Sequence, residues 1–344
     1  MAAGGAPGIT SDVDVWLAAN TELRPPCRYE LISGGRSNLT FRVTDSNGSR
    51  AVLRRPPLGE LLPSAHDMGR EHRIIAALHG STVPVAEPLG FCADPEVAGA
   101  PFYVMAEVEG TVVRDETVAR DALDASDRVE VTESLVDVLA DLHRIDPDAV
   151  GLGDLGKRED YVARQLSRWS RQWAASRTRE LPLVDDVHRR LTECIPEQQA
   201  AAITHGDYRL DNLMIGPDAT VAAVFDWELC TLGDPLADLA SLVTYWGRPD
   251  DEFVALPGTP TVVEGFPERP ALVERYGSTS TLDLEPLPYY VAFANWRLAC
   301  ILEGVYARYR SGAMGVDGED GTGYGERVGA LAARADAILE GAAW

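Results

Sequence analysis

The feature that most constrains this chain is a polar stretch held between apolar segments. Ala201-Ala202-Ile203 leads into His205-Gly206-Asp207-Tyr208-Arg209-Leu210-Asp211-Asn212, and Leu213-Met214-Ile215 leads out. Short apolar segments on both sides predict a loop presented by a rigid scaffold, which is how folds display reactive side chains. A further β-rich run, Val221 to Phe225, ends at Asp226, so a second carboxylate emerges at a strand end. A carboxylate, a carboxamide and a second carboxylate at this spacing form the set that phosphoryl transfer from a nucleotide employs, one accepting a hydroxyl proton and two holding magnesium. Asp207 is thus the candidate base, with Asn212 and Asp226 the candidate magnesium ligands. His205 fits a brace for the loop. Asp238 heads an apolar helix, where it either holds the loop through backbone amides or caps its own helix.

Upstream, Tyr29 to Ile32, Leu39 to Val43 and Arg50 to Leu53 read as strands joined by glycine-containing turns. Ser33-Gly34-Gly35-Arg36-Ser37-Asn38 between the first two is either a plain hairpin turn or a loop whose amides close over nucleotide phosphates. Arg54 stands where nucleotide kinases carry a phosphate-contacting lysine, and Glu71, on the first turn of a helix expected over Arg70 to His79, is its candidate partner. The alternative for Arg54 and Arg55 is a solvated pair on an edge strand. Two more strands are expected at Pro88 to Cys92 and Pro101 to Val108, after which helical periodicity takes over. Leu135, Val138, Leu139 and Leu142 share one face, and Trp169 and Trp173 mark a second helical stretch. Tyr289, Tyr290, Phe293, Trp296 and Arg297 recur at helical spacing, a stripe that fits core better than cleft, with Arg297 its candidate substrate contact beside Arg209 and Glu228. A glycine- and acid-rich segment, Ser311 to Glu326, reads as a mobile loop before a final alanine-rich helix.

Strands followed by helices imply two unlike lobes, with a division expected between 1–108 and 109–344. With 344 residues and 45% apolar content the chain can bury a large core. No apolar run reaches membrane-spanning length and the N-terminus lacks signal-peptide features, so a cytoplasmic location is expected. Five scattered cysteines suggest neither a disulfide framework nor a zinc site. A net charge of −23 argues against nucleic acid and acidic membrane as partners. The same charge either aids solubility or makes an acidic cleft that favours a cationic second substrate.

Together, HGDYRLDNLMIGPDATVAAVFDWELCTLGDPLADLA, VLRRPP, the Arg70-Glu71 pair and PFYVMAEVEG resemble the aminoglycoside phosphotransferase and choline kinase-like superfamily. The subgroup most similar is the kinase-like domain of acyl-CoA dehydrogenase family members ten and eleven. The resemblance implies an α+β, protein-kinase-like bilobal fold with a small β-rich N-lobe and a larger, mainly helical C-lobe. It further implies a small-molecule kinase that uses magnesium and ATP, with GTP as the alternative, to phosphorylate a hydroxyl of a hydroxyacyl-CoA-type or aminoglycoside-like acceptor. In the implied site Asp207 is the base, Asn212 and Asp226 bind magnesium, Arg54 and Glu71 form the phosphate pair, Ser33, Gly34 and Gly35 cover the phosphates, and Met105, Glu107 and Val108 lie in the segment against adenine. Arginine in place of lysine at position 54 motivates one rival, a nucleotide-binding pseudoenzyme, and the second rival is a metal-dependent hydrolase using Asp207 and Asp226.

Overall fold

The computed structural model describes residues 8–33, 38–57, 67–251, 253–312 and 321–344. The chain divides into two compact units. One comprises residues up to Thr111 together with Leu213–Gly216 and Val221–Leu229, and the other comprises Val112–Asn212, Pro217–Thr220 and Cys230–Trp344. The first unit is therefore discontinuous in sequence, a feature that a single cut near residue 108 does not capture.

In the first unit, β1 (Arg28–Ser33), β2 (Leu39–Thr44), β3 (Arg50–Arg55), β4 (Pro88–Cys92) and β5 (Phe102–Ala106) form an antiparallel five-stranded sheet of order β1-β2-β3-β5-β4. Strand β2 follows from period-two alternation: Leu39, Phe41 and Val43 are buried, while Thr40, Arg42 and Thr44 are half-buried. Those side chains join Leu53, Phe102 and Val104 in one core, which also takes Val13 and Leu17 from α1 (Ser11–Asn20). Helix α1 also packs Trp16 against this core, its ring edge-on to Phe102 with centroids 5.0 Å apart. Helix α2 (Met68–Leu78) is capped by Asp67, which accepts from the Arg70 amide at 2.9 Å. Its buried face contains Met68, Ile74, Ile75 and Leu78, with Glu71 among them. The four-residue α3 (Pro95–Ala98) lies between β4 and β5.

The same unit takes in a returning hairpin, β7 (Leu213–Ile215) antiparallel to β8 (Val221–Val224). Thr111 and Ile215 exchange backbone hydrogen bonds of 2.8 and 2.9 Å. The close approach needs Gly110, at φ 151°, since a Cβ there would stand 2.3 Å from the Ile215 carbonyl oxygen.

The second unit is mainly helical. After α4 (Glu116–Ala122), α5 (Ala125–Arg144) opens with an Asp124/Asp127 capping box and buries Leu135, Val138, Leu139 and Leu142, the expected stripe. Trp169 and Trp173 are buried on α6 (Tyr161–Ser176), and α7 (Pro182–Glu193) follows. Strand β6 (Ala202–Thr204) pairs antiparallel with β9 (Thr231–Gly233), and α8 (Pro235–Tyr245) begins immediately beyond. Asp234 caps α8 by accepting from the Leu236 amide at 3.0 Å. Helices α9 (Arg269–Thr279), α10 (Leu287–Arg310) and α11 (Thr322–Leu339) complete the unit. On α10, Tyr290, Phe293 and Trp296 are fully buried, so the aromatic stripe is core. Residues 313–320, half of the segment 311–326 expected as a loop, lie outside the described residues, and from Thr322 the chain is already in α11. Among the described residues no helix is long and apolar enough to cross a membrane.

Candidate active site

The first unit gathers three of the expected residues. Arg54, near the end of β3, donates from Nη2 to Oδ1 of Asp226 at 2.6 Å, and its Nε lies 3.3 Å from Oε2 of Glu71. Glu71 also accepts from the Asn38 amide at 3.1 Å and from the Tyr103 hydroxyl at 3.1 Å. Strand register explains the second of these, because Tyr103 on β5 stands directly opposite Arg54 on β3. Burial pushes the Glu71 carboxyl up to about 7, against the lowering influence of Arg54 and with the help of the like charges on Asp226 and Glu228. Asp226 follows β8 at a φ of 66°, a left-handed conformation that costs a non-glycine residue about 1–3 kcal/mol. The solvated edge-strand alternative fails for both arginines: Arg54 is largely buried, and Arg55 is buried with Nη1 donating to the Gly8 and Ala98 carbonyls at 2.6 Å each.

The second unit carries the loop. Asp238, on the first turn of α8, accepts from the His205 amide at 2.6 Å and the Gly206 amide at 2.9 Å, and His143 Nε2 lies 3.4 Å away. Of the two roles open to Asp238, the structure chooses the loop anchor, since Asp234 is the cap. Burial opposes ionisation of Asp238, yet the His143 contact and the loop amide outweigh it and hold the carboxyl below the usual aspartate range. His205 is fully buried and its Nδ1 accepts from the Asp207 amide at 3.3 Å, a bracing contact. The Asn212 Nδ2 donates to the Asp207 carbonyl at 2.8 Å and to its Oδ2 at 3.1 Å. Arg209 donates from Nε to the same Oδ2 at 3.4 Å, pairs with Asp211 at 2.8 Å, and lies over the Tyr245 ring. Burial and the neighbouring Asp207 carboxylate raise the Tyr245 hydroxyl. Arg297 reaches the loop from α10, donating to the Gly206 carbonyl at 2.8 Å while its guanidinium lies over Trp169.

The donor chemistry suits magnesium, which takes one or two carboxylate oxygens with phosphate and water rather than a protein cage. Both Asn212 bonds come from Nδ2, which leaves its amide oxygen as a hard donor, and Arg54 engages only Oδ1 of Asp226.

The remaining expected residues are scattered. Met105 is buried in β5, paired with Val52. The Glu107 carboxylate is committed to Arg42 at 2.6 Å and Arg50 at 3.5 Å, which leaves its backbone for any other task. Val108 follows β5 and Glu228 is exposed in the 3-10 turn Trp227–Leu229. Ser33 ends β1, and Gly34 and Gly35 lie outside the described residues. Reading the sequence missed Tyr103, Asn38 as a Glu71 partner, and Tyr245. Strand register would have exposed the first, whereas Tyr245 gave no signal beyond its place at the end of α8.

Residues 28–265 match the family described as "Phosphotransferase enzyme family". Mouse acyl-CoA dehydrogenase family member 10 is 36% identical over 291 residues, covering 81% of this chain and 26% of that protein, so the chain spans about a quarter of the relative's length. The crystal structure of a Ralstonia eutropha JMP134 protein named after the aminoglycoside phosphotransferases superposes with TM-score 0.80 and 30% identity over 97% of this chain and 99% of that one. An aminoglycoside phosphotransferase in ternary complex with ADP and hygromycin B shares the fold, with TM-score 0.62 and 16% identity over 97% of this chain and 100% of that one. The chain belongs to the phosphotransferase enzyme family, and with it to the small-molecule kinases.

Proposed function

We propose that this protein transfers the γ-phosphoryl group of ATP to a hydroxyl of a small acceptor, with Asp207 as the base. The observation that carries this reading is the fixed Asp207 carboxylate: its loop hangs from Asp238 by two backbone amides, and Asn212 and Arg209 donate to its Oδ2. A carboxylate so oriented, with its Oδ1 outside those bonds, can accept the acceptor's proton as the new P–O bond forms and the bond to the ADP oxygen breaks. Asn212 and Asp226 are the residues that would hold magnesium. When bound, the ion neutralises charge on the phosphates. Arg54, kept in place by Glu71, supplies a guanidinium for α- and β-phosphate oxygens, a broader and more directional contact than an ammonium. The ADP seen in the related fold supports a nucleotide donor. The relatives' names mention acyl-CoA and aminoglycosides, and hydroxyl-bearing members of those two types are the acceptors we propose.

The Asp207→Asn variant should lose about 10²- to 10⁴-fold in turnover while its ATP-induced thermal shift persists. Full activity of that variant on an acceptor phosphorylated by the wild type would remove Asp207 from the mechanism.

A further inference from the structure

Next to the loop, the second unit contains a cavity of about 70 Å³ whose lining includes Arg114, Arg209, Asp211, Tyr245 and Thr261. It adjoins the candidate base through Arg209, which lines the cavity and donates to Oδ2 of Asp207. Its charge runs against that of the molecule. A chain with 54 acidic and 31 basic residues places two guanidiniums and one carboxylate around this space. Asp211 is already paired with Arg209 at 2.8 Å, while exposed Arg114 forms no ion pair among the described residues. Thr261 is 4% exposed, and its hydroxyl has no hydrogen-bond partner among the described residues. A buried hydroxyl left without a partner in a native fold calls for a water or ligand to complete it.

We infer that this cavity receives an oxyanion carried by the acceptor, a carboxylate or a phosphate, held by Arg114 and the Thr261 hydroxyl while the acceptor's own hydroxyl is presented to Asp207. The inference rests on the phosphotransferase reading and adds the acceptor's chemical class to it. The guanidinium only donates and the hydroxyl can donate, so together they match an anionic oxygen group, whereas an ammonium would meet the like charge of Arg114. The small volume suits one compact group rather than a sugar ring. A polycationic acceptor would set its ammonium groups against Arg114. The acidity of the chain as a whole therefore does not extend to this cavity, and of the two readings of that charge an acidic cleft for a cationic second substrate does not fit here.

The test compares three acceptor sets that share a primary hydroxyl: hydroxycarboxylates, hydroxyl-bearing phosphate monoesters, and amino alcohols with aminoglycosides. Phosphorylation by the full chain is followed with ATP and magnesium. One of the first two sets should exceed the third in kcat/KM by at least about tenfold, and which of the two leads tells carboxylate from phosphate. Arg114→Gln, a change at an exposed position, should raise KM for that set about tenfold or more with little change in kcat, and Thr261→Val should raise it about threefold. Preference for the cationic set, or an unchanged KM in Arg114→Gln, overturns the assignment. If no acceptor is phosphorylated, calorimetric titration of the same compounds into wild type and Arg114→Gln separates the two readings. Binding weakened by the substitution upholds the cavity while transfer fails, and binding that is absent or unaltered overturns the cavity.

Discussion

Asp238 in the second unit and Glu71 in the first are both almost completely buried, at 2% and 1% exposure, yet their carboxyls shift in opposite directions. Equal burial rules out desolvation alone as the reason. Asp238 receives two backbone N–H groups and faces His143, all of which favour its ionised form. Glu71 relies on Asn38, Tyr103 and an arginine shared with Asp226, and it senses the like charges of Asp226 and Glu228. The acid that fixes a loop is thus surrounded by donors of its own, whereas the acid beside Arg54 shares its cation with a second acid.

Three measurements would break or sharpen this contrast. The largest effect belongs to Asp238→Ala, which strands two loop amides and His143 and should cost about 3–5 kcal/mol in urea unfolding, with turnover falling in parallel. A loss under about 1 kcal/mol would mean the amides find water instead. Next comes the pH dependence of stability. Glu71 is raised from the ordinary 4.5 to about 7, so the folded state binds the extra proton between these values. Its contribution is fully present below pH 4.5 and is lost as pH rises through 7, a change on the order of 3 kcal/mol that Glu71→Gln should abolish. Melting curves that coincide for wild type and Glu71→Gln across that window would contradict the shift. The smallest effect is Tyr103→Phe, expected to cost about 1 kcal/mol and, by deleting a donor that favours the ionised form, to move the Glu71-linked loss to higher pH.

Much of this was legible in the sequence because it was local. Strand β2 could be read from the turns that flank it, α2 from Ile74, Ile75 and Leu78, and the loop from its apolar flanks. The Arg54–Glu71 pair followed from the order of β3 and α2. What stayed hidden depends on long-range register and on what fills a space. Asp238 could cap or anchor until β6, β9 and α8 fixed the loop amides against it. Arg55 reads as an edge-strand charge until the carbonyls of Gly8 and Ala98, distant in sequence, surround it. The cavity residues Arg114 and Thr261 stand far apart along the chain, and no periodicity links them.

The exchange of hydrogen bonds between Thr111 and Ile215, made possible by Gly110, has a consequence for dissecting the molecule. A protein fragment ending near residue 111 would contain Arg54 and Glu71 but lack the hairpin that brings Asp226 to them. Such a fragment would leave Arg54 without one of its two carboxylates and leave the Thr111 amide and carbonyl without their strand partner. The first unit is therefore not a separable cassette, and grafting it onto another chain would require carrying residues 213–216 and 221–229 along with it.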